Sequence, residues 1–201
     1  MKTKILLVMF IFSGFVHAYA EEQYKKFNFG LKVAPAISWL NSNREEISSD
    51  GVVAKFNWGF IGIYNFTQNF SAVSGFNINS LGGKLKNEVD HTSYKYKYSE
   101  FELPVIFQMK SNEIVGIKIF FQLGIAPGVI MSAKNSDTKE KISKNLFDVS
   151  WLAATGVNVP VKGNIELFGQ IKYNGGLTNI AKNDLEKAKA SFVELGLGVL
   201  F

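Results

Sequence analysis

One histidine lies beyond the first twenty residues, His91, and it stands between Asp90 and Ser93. A histidine oriented by a carboxylate can deprotonate a serine for nucleophilic attack, so these three residue types are the raw material of an acyl-transfer or hydrolytic site. Such sites are recognised by convergence in space from separate elements, whereas these three crowd into four consecutive residues of a polar stretch. His91 is therefore expected to be a solvated loop histidine, with no catalytic residue in the chain. There is no cysteine, no histidine cluster and no acidic loop of calcium-binding spacing, and no glycine-rich phosphate cradle opens a helix. No metal and no cofactor are expected.

A second set of ionisable residues is scattered singly along the chain: Lys32, Glu100, Glu102, Lys118, Asp148, Glu166, Lys172 and Glu194. Each sits in an alternating run whose other face is apolar, so the elements that position them are strands with a period of two. The last run is the plainest, with Val193, Leu195, Leu197, Val199 and Phe201 on one face and Glu194, Gly196, Gly198 and Leu200 on the other. Seven earlier runs precede it. Phe27, Phe29, Leu31 and Val33 oppose Asn28, Gly30, Lys32 and Ala34; Phe56, Trp58, Phe60, Tyr64 and Phe66 oppose Lys55, Asn57, Gly59 and Asn65. The run from Phe70 to Leu81 is the least regular and its facing stays open. Tyr94 to Lys110 reads as one strand, with Phe101, Leu103, Val105, Phe107 and Met109 opposite Glu100, Glu102, Pro104 and Gln108. The fifth sets Ile117, Ile119, Phe121, Leu123 and Ile125 against Lys118, Phe120, Gln122 and Gly124. The sixth sets Phe147, Val149, Trp151, Ala153 and Val157 against Asp148, Ser150, Ala154 and Gly156, and the seventh Ile165, Leu167, Ile171 and Tyr173 against Glu166, Gln170, Lys172 and Asn174.

The connectors alternate long and short. Thr67–Asn69, Ser111–Glu113 and Pro160–Asn164 are short, while Ser38–Gly51, Gly82–Ser93, Lys134–Asn145 and Thr178–Ala190 are long. Eight strands with this asymmetry predict an all-β, eight-stranded antiparallel up-and-down transmembrane β-barrel, with short turns and both mature termini on the periplasmic side and long loops outside. Residues 1–20 read as a cleaved secretory signal peptide: Lys2 and Lys4, an apolar run from Ile5 to Val16, then Ala18-Tyr19-Ala20. Residues 21–201 then form one outer-membrane barrel domain. The chain is 47% hydrophobic, 14% aromatic and 19% charged, and its formal charge of +5 includes Lys2 and Lys4. Without them the charge is +3, too mild to imply nucleic acid.

Alternation alone does not say whether the apolar face points inward or outward, because a soluble lipocalin-like barrel also alternates. The opposite face decides. It mixes glycine and alanine with single charges, which suits a narrow polar lumen, and aromatic residues near strand ends (Phe27, Trp58, Tyr64, Phe70, Trp151, Tyr173) suit interfacial girdles. An eight-stranded barrel is just wide enough for its own side chains. The eight ionisable residues above are therefore expected to face one another across the lumen as a polar network, each charge neutralising another. Pro104 and Pro127 each suggest a bulge or bend, and a lateral opening near them is one possibility for a conduit.

Several segments resemble the PorT-like outer-membrane β-barrel family of Bacteroidetes type. They are Glu102-Leu103-Pro104-Val105, Gly124-Ile125-Ala126-Pro127-Gly128, Phe147-Asp148 followed by Gly156, and Tyr173-Asn174-Gly175-Gly176-Leu177-Thr178-Asn179-Ile180. The resemblance implies an eight-stranded barrel in the outer membrane and an accessory role in secretion or assembly, and carries over no binding residue. Phe201 resembles the terminal aromatic that barrel-assembly machinery reads. The expected partners are outer-membrane lipid, the barrel-assembly machinery and an envelope protein. The function expected is that of a non-enzymatic barrel acting structurally or by interaction. The alternatives are a small pore or apolar-ligand conduit, or a lipid-modifying enzyme centred on His91.

Overall fold

The computed structural model describes residues 24–42, 47–88, 91–136, 144–180 and 188–201. The expected signal peptide and the start of the mature chain lie outside them, as do the tips of the long connectors. Among the described residues all regular structure is antiparallel strand: β1 (Phe27–Ser42), β2 (Ile47–Ser49), β3 (Val53–Asn65), β4 (Phe70–Asn87), β5 (Ser93–Glu102), β6 (Val105–Lys110), β7 (Lys118–Asn135), β8 (Phe147–Lys162), β9 (Ile165–Gly176) and β10 (Ala188–Leu200). Hydrogen bonds run from β1 through β3, β4, β5 with β6, β7, β8, β9 and β10 and back to β1, so eight positions close a ring. The ring is sealed at its end by Phe29 and Phe201, whose backbone N–H groups each donate to the other's carbonyl (2.9 and 2.7 Å). Closure removes the free edges that an open sheet would present to lipid.

The period of two sorts the side chains as expected. Phe27, Phe29, Leu31 and Val33 on β1, Phe107 on β6, Leu123 and Ile125 on β7, and Leu195 and Leu197 on β10 are exposed, while Lys32, Glu102, Lys172 and Glu194 are buried. An apolar exterior around a charged interior is the inverse of a soluble barrel and matches a lipid solvent. On β4, whose facing the sequence leaves open, Ser71, Val73, Asn77, Asn79, Leu81 and Leu85 point inward. The strand keeps one phase throughout. Its irregularity is one of residue type, because valine and leucine line its inner face and serines its outer one.

The fourth barrel position, read as one strand, is two. The ladder stops at Leu103–Pro104 and resumes in the same register, since Glu102 faces Gly128 and Val105 faces Ile125. Leu103 N–H donates to the Pro127 carbonyl (2.9 Å), and the Ser74 hydroxyl donates to the Pro104 carbonyl (2.9 Å). In an antiparallel pair a residue's N and O point to the same neighbour, so the N–H that Pro127 lacks would have faced Leu103, where the strand is interrupted. The local irregularity expected at Pro104 is present. The one expected at Pro127 is not: β7 and β8 stay in register through Pro127–Val149. The bulge in β7 falls later, opposite Ser99 and Glu100, where Ile130 and Ser132 flank an extra residue, Met131.

The wall parts elsewhere. The β3–β4 ladder ends at Trp58–Ile78, although β3 continues to pair with β1 as far as Val53. Beyond that point the edge of β4 is satisfied by side chains. Asn57 Oδ1 accepts from Ser80 N (3.0 Å), and the Ser38 hydroxyl accepts from Gly82 N (3.0 Å) and donates to Gly82 O (2.8 Å). Then β2 takes over, pairing Ser49 with Leu85. Every backbone group in a barrel wall needs a partner, and here two inward-facing side chains serve as a strand.

The long connectors are shorter than the residue pattern predicts, because the strands run on into them: β1 to Ser42, β4 to Asn87 and β7 to Asn135, with β10 starting at Ala188. Past the lipid belt a ladder needs no apolar face, so the alternation that marks the strand in sequence disappears while its hydrogen bonds persist. At the other end the turns are tight. Gly163 (φ 63) and Asn164 join β8 to β9, and Val115 (φ 52) and Gly116 (φ 78) make a corner pinned by the Ile114–Ile117 bridge.

Candidate functional site in the barrel lumen

The lumen is stratified. Along β9, starting from the end where the chain termini meet, the inward residues are Glu166, Phe168, Gln170, Lys172 and Asn174. Phe168 belongs to an apolar cluster with Ile63, Val73, Ile106, Phe120, Ala126, Leu152 and Leu200. A second cluster, toward the long connectors, gathers Leu40, Leu81, Leu85, Tyr96, Tyr98, Ile130, Phe192 and neighbours. The charged layer lies between these two.

Its centre is a four-charge chain. Glu194 Oε1 accepts from Lys32 Nζ (2.6 Å) and from Lys172 Nζ (3.2 Å), and Lys172 reaches on toward Glu102 Oε1 (3.9 Å). Asparagines complete both carboxylates. Asn57 Nδ2 donates to Glu194 Oε2 (2.9 Å), Asn77 to Glu102 Oε1 (2.7 Å), and Asn79 and Asn174 to Glu102 Oε2 (3.1 and 3.0 Å). Asn174 also donates to the Ser150 hydroxyl (3.1 Å), and Lys172 Nζ lies 5.2 Å from the Phe192 ring centroid. All four carboxylate oxygens are engaged, and Glu102 and Glu194 are 0% exposed. Two positive and two negative charges in one dry layer satisfy each other, which is the condition under which buried ions are tolerated.

The other four residues of the expected network are placed elsewhere. Glu100 and Asp148 are buried on the long-connector side of this layer, and no lysine bonds either of them among the described residues. Glu100 fits because Gly128 faces it: a Cβ there would come within 2.1 Å of Glu100 Oε1. Asp148 accepts from the Thr178 hydroxyl. Lys118 and Glu166 sit at the opposite end, lining a recess of about 620 Å³ with Lys25, Asn65, Lys110 and Asn158. There Asn158 Nδ2 donates to Glu166 (3.0 Å) and Lys110 Nζ to Asn65 Oδ1 (2.7 Å). The eight residues thus form three tiers. What the residue pattern missed is the role of the asparagines: Asn57 and Asn174 stand on the polar faces of their runs but carry no charge to draw notice, and Asn77 and Asn79 lie in the run whose facing the sequence leaves open.

His91 is exposed, in a left-handed conformation (φ 54), and the Ser93 hydroxyl donates to Asp50 (2.5 Å). Asp90 lies outside the described residues. The carboxylate that Ser93 engages belongs to the β2–β3 connector, and it accepts the serine proton as a hydrogen bond with no histidine interposed.

Residues 18–182 match the family model described as outer membrane protein beta-barrel domain. The chain belongs to that family. Neisserial surface protein A superposes on this outer-membrane barrel with a TM-score of 0.59, covering 88% of this chain and 96% of its own, at 15% identity. OprG from Pseudomonas aeruginosa gives 0.59 over 89% and 97%, at 9% identity. Likeness at such identities speaks for the fold. No curated protein sequence matches the chain. Membership in an outer-membrane family assigns the belt of exposed phenylalanines, leucines and valines to lipid. It also gives the buried charges their setting, an interior enclosed by a membrane wall.

Three of the segments noted in the sequence meet in this wall. Glu102-Leu103-Pro104-Val105 pairs with Gly124–Gly128 through Leu103 N and Pro127 O, and Asn174 of the Tyr173–Ile180 segment binds the Glu102 carboxylate. Their common ground is the interrupted fourth position and the charge that stands beside it.

Proposed function

We propose that this outer-membrane barrel acts through its surfaces, as a non-enzymatic structural or interaction component of the cell envelope. The observation that carries this reading is the closed lumen: a salt-bridged layer sealed off from water, with an apolar cluster on each side of it. A solute has no path through it, so the surfaces left to do work are the two rims and the lipid-facing wall. The chain enters the envelope by the export signal in residues 1–20 and is inserted by barrel-assembly machinery that reads the terminal Phe201. Both termini and the tight turns face the periplasm, and the long connectors face outward, in keeping with the usual asymmetry of such barrels. The meeting of three PorT-like segments around Glu102 and Pro104 favours membership of that group and an accessory role in secretion or assembly.

Affinity capture of the tagged protein from crosslinked native envelopes, read by mass spectrometry, tests the role. Reproducible secretion or assembly components support it, and a barrel recovered with lipid alone defeats the accessory version. A second reading, a conduit for an apolar molecule, draws on the parted β3–β4 ladder. If it holds, locking the gap with a disulfide between cysteines at Phe56 and Ser80, the next outward pair in the register of Trp58 and Ile78, stops uptake of an apolar probe and dithiothreitol restores it. Unchanged uptake in the locked barrel ends that reading.

A further inference from the structure

The outer face of the wall changes character abruptly at one level across β4, β5 and β7. Phe76 and Ile78 on β4, Phe101 on β5 and Val129 on β7 belong to the apolar belt, with the Phe76 and Phe101 rings stacked 6.0 Å apart. The next outward row is Ser80, Ser99 and Ser132, directly paired across the three strands. The row beyond is Gly82, Lys97 and Lys134, and the one after that holds Lys84 and Lys95. Apolar, hydroxyl and ammonium thus succeed one another in steps of two residues.

Two local features build this face. The Met131 bulge shifts the phase of β7, so that after outward Leu123 and Ile125 the even-numbered Ser132 and Lys134 point outward and Ala133 points in. Bulges are a known means of re-aiming side chains in this way. The parted ladder supplies the other feature. Lys55, from the stretch of β3 that has left β4, lays its side chain over Gly82, where a Cβ would stand 3.2 Å from Lys55 Cε. It stands among like charges, Lys97 and Lys95 being its charged neighbours. The result is a recess of about 540 Å³ lined by Lys55, Lys97, Lys134, Ser80, Ser99 and Ser132, among others, with no Asp or Glu among the described residues of its lining.

We propose that this recess binds the phosphate of a lipid headgroup, namely a phosphorylated glycolipid of the outer leaflet. Three ammonium groups supply the charge, and the serine row supplies short hydroxyl donors immediately above the acyl-chain belt, where a headgroup phosphate stands. The apolar row beneath would take the acyl chains of the same molecule. The lipid assignment rests on the membrane belt, and the choice of leaflet rests on the orientation proposed above.

The test uses the full barrel refolded in detergent and titrated with lipid A carrying two phosphates, with enzymatically dephosphorylated lipid A, and with inorganic phosphate. The expected result is a preference for the phosphorylated lipid that falls roughly 10- to 30-fold in Lys97→Gln/Lys134→Gln, since each surface lysine near an anionic headgroup contributes modestly. Lys97→Arg/Lys134→Arg should retain most of it, and Lys25→Gln, in the recess at the opposite end, should leave it unchanged. An unheated gel shift reports whether each variant is folded, and Lys55→Gln, placed on another strand, gives an independent reading if the double variant fails to close. Equal affinity for dephosphorylated lipid, or equal loss in Lys25→Gln, overturns the site while leaving the barrel reading intact. Displacement of the lipid by equimolar inorganic phosphate overturns the lipid assignment in favour of a free phosphate ligand.

Discussion

Glu194 is the residue on which the lumen turns, because one of its oxygens holds two lysines from the strands on either side, Lys32 on β1 and Lys172 on β9. Read from sequence alone, Glu194→Gln looks milder than Leu195→Arg, as a lumen change against a charge placed in lipid. The geometry removes that difference. Neutralising Glu194 leaves two buried ammonium groups facing one remaining carboxylate, a broken buried pair that costs about 3–5 kcal/mol. Arginine at the lipid-facing Leu195 costs about 2–4 kcal/mol near the midplane. Urea titration of the folded band on unheated gels should therefore show Glu194→Gln destabilised at least as much as Leu195→Arg. The double change Lys32→Met/Glu194→Gln should recover much of the loss, because it leaves Lys172 paired with Glu102; strict additivity of the two single costs would refute the coupling. The charges of this site were legible as single polar residues in apolar runs. Their division into tiers was not, because alternation gives the face of a residue and says nothing of its height in the barrel.

Elements were legible wherever lipid demands an apolar face, and they blurred wherever it does not. β4 looked irregular because valine and leucine on its inner face fill the apolar clusters, and the strand extensions beyond the belt gave no alternating signal at all. The interruption at Pro104 could be read from the proline; the phase shift at Met131 could not, since no residue type announces a bulge there. Because Met131 is the extra residue, deleting it should join Ile130 to Ser132 in one continuous register and leave Ser132 and Lys134 outward and Ala133 inward. A cysteine at position 134, labelled readily by a membrane-impermeant maleimide in the parent barrel, should stay labelled in the deletion variant. Protection of that cysteine would mean that Met131 is not the residue the bulge accommodates.

For the whole molecule the first-order consequence is closure. The apolar clusters above and below the charged layer and the absence of exposure at Glu102 and Glu194 leave no continuous aqueous route. Planar-bilayer recording of the refolded protein should show no discrete conductance steps, and single-channel openings from pure wild-type protein would restore the pore as a working hypothesis. The fold itself, eight positions, antiparallel, apolar outside, was readable from period and connector length, because a barrel in lipid writes its inside and outside into alternate residues. The charged layer bears on how that barrel arises. Lys32, Asn57, Asn77 and Asn79, Glu102, Ser150, Lys172 and Asn174, and Glu194 come from every position of the ring except β7. A strand that docks two residues out of step can still bury its apolar face in lipid, so the belt is blind to that mistake. The layer is not: a displaced β1, β5, β9 or β10 would leave a buried charge unpaired, and a displaced β3, β4 or β8 would leave a carboxylate or an amide short of its partner. Register is therefore tied to the layer at seven of the eight positions, each of which must present its group at one height for the network to be complete.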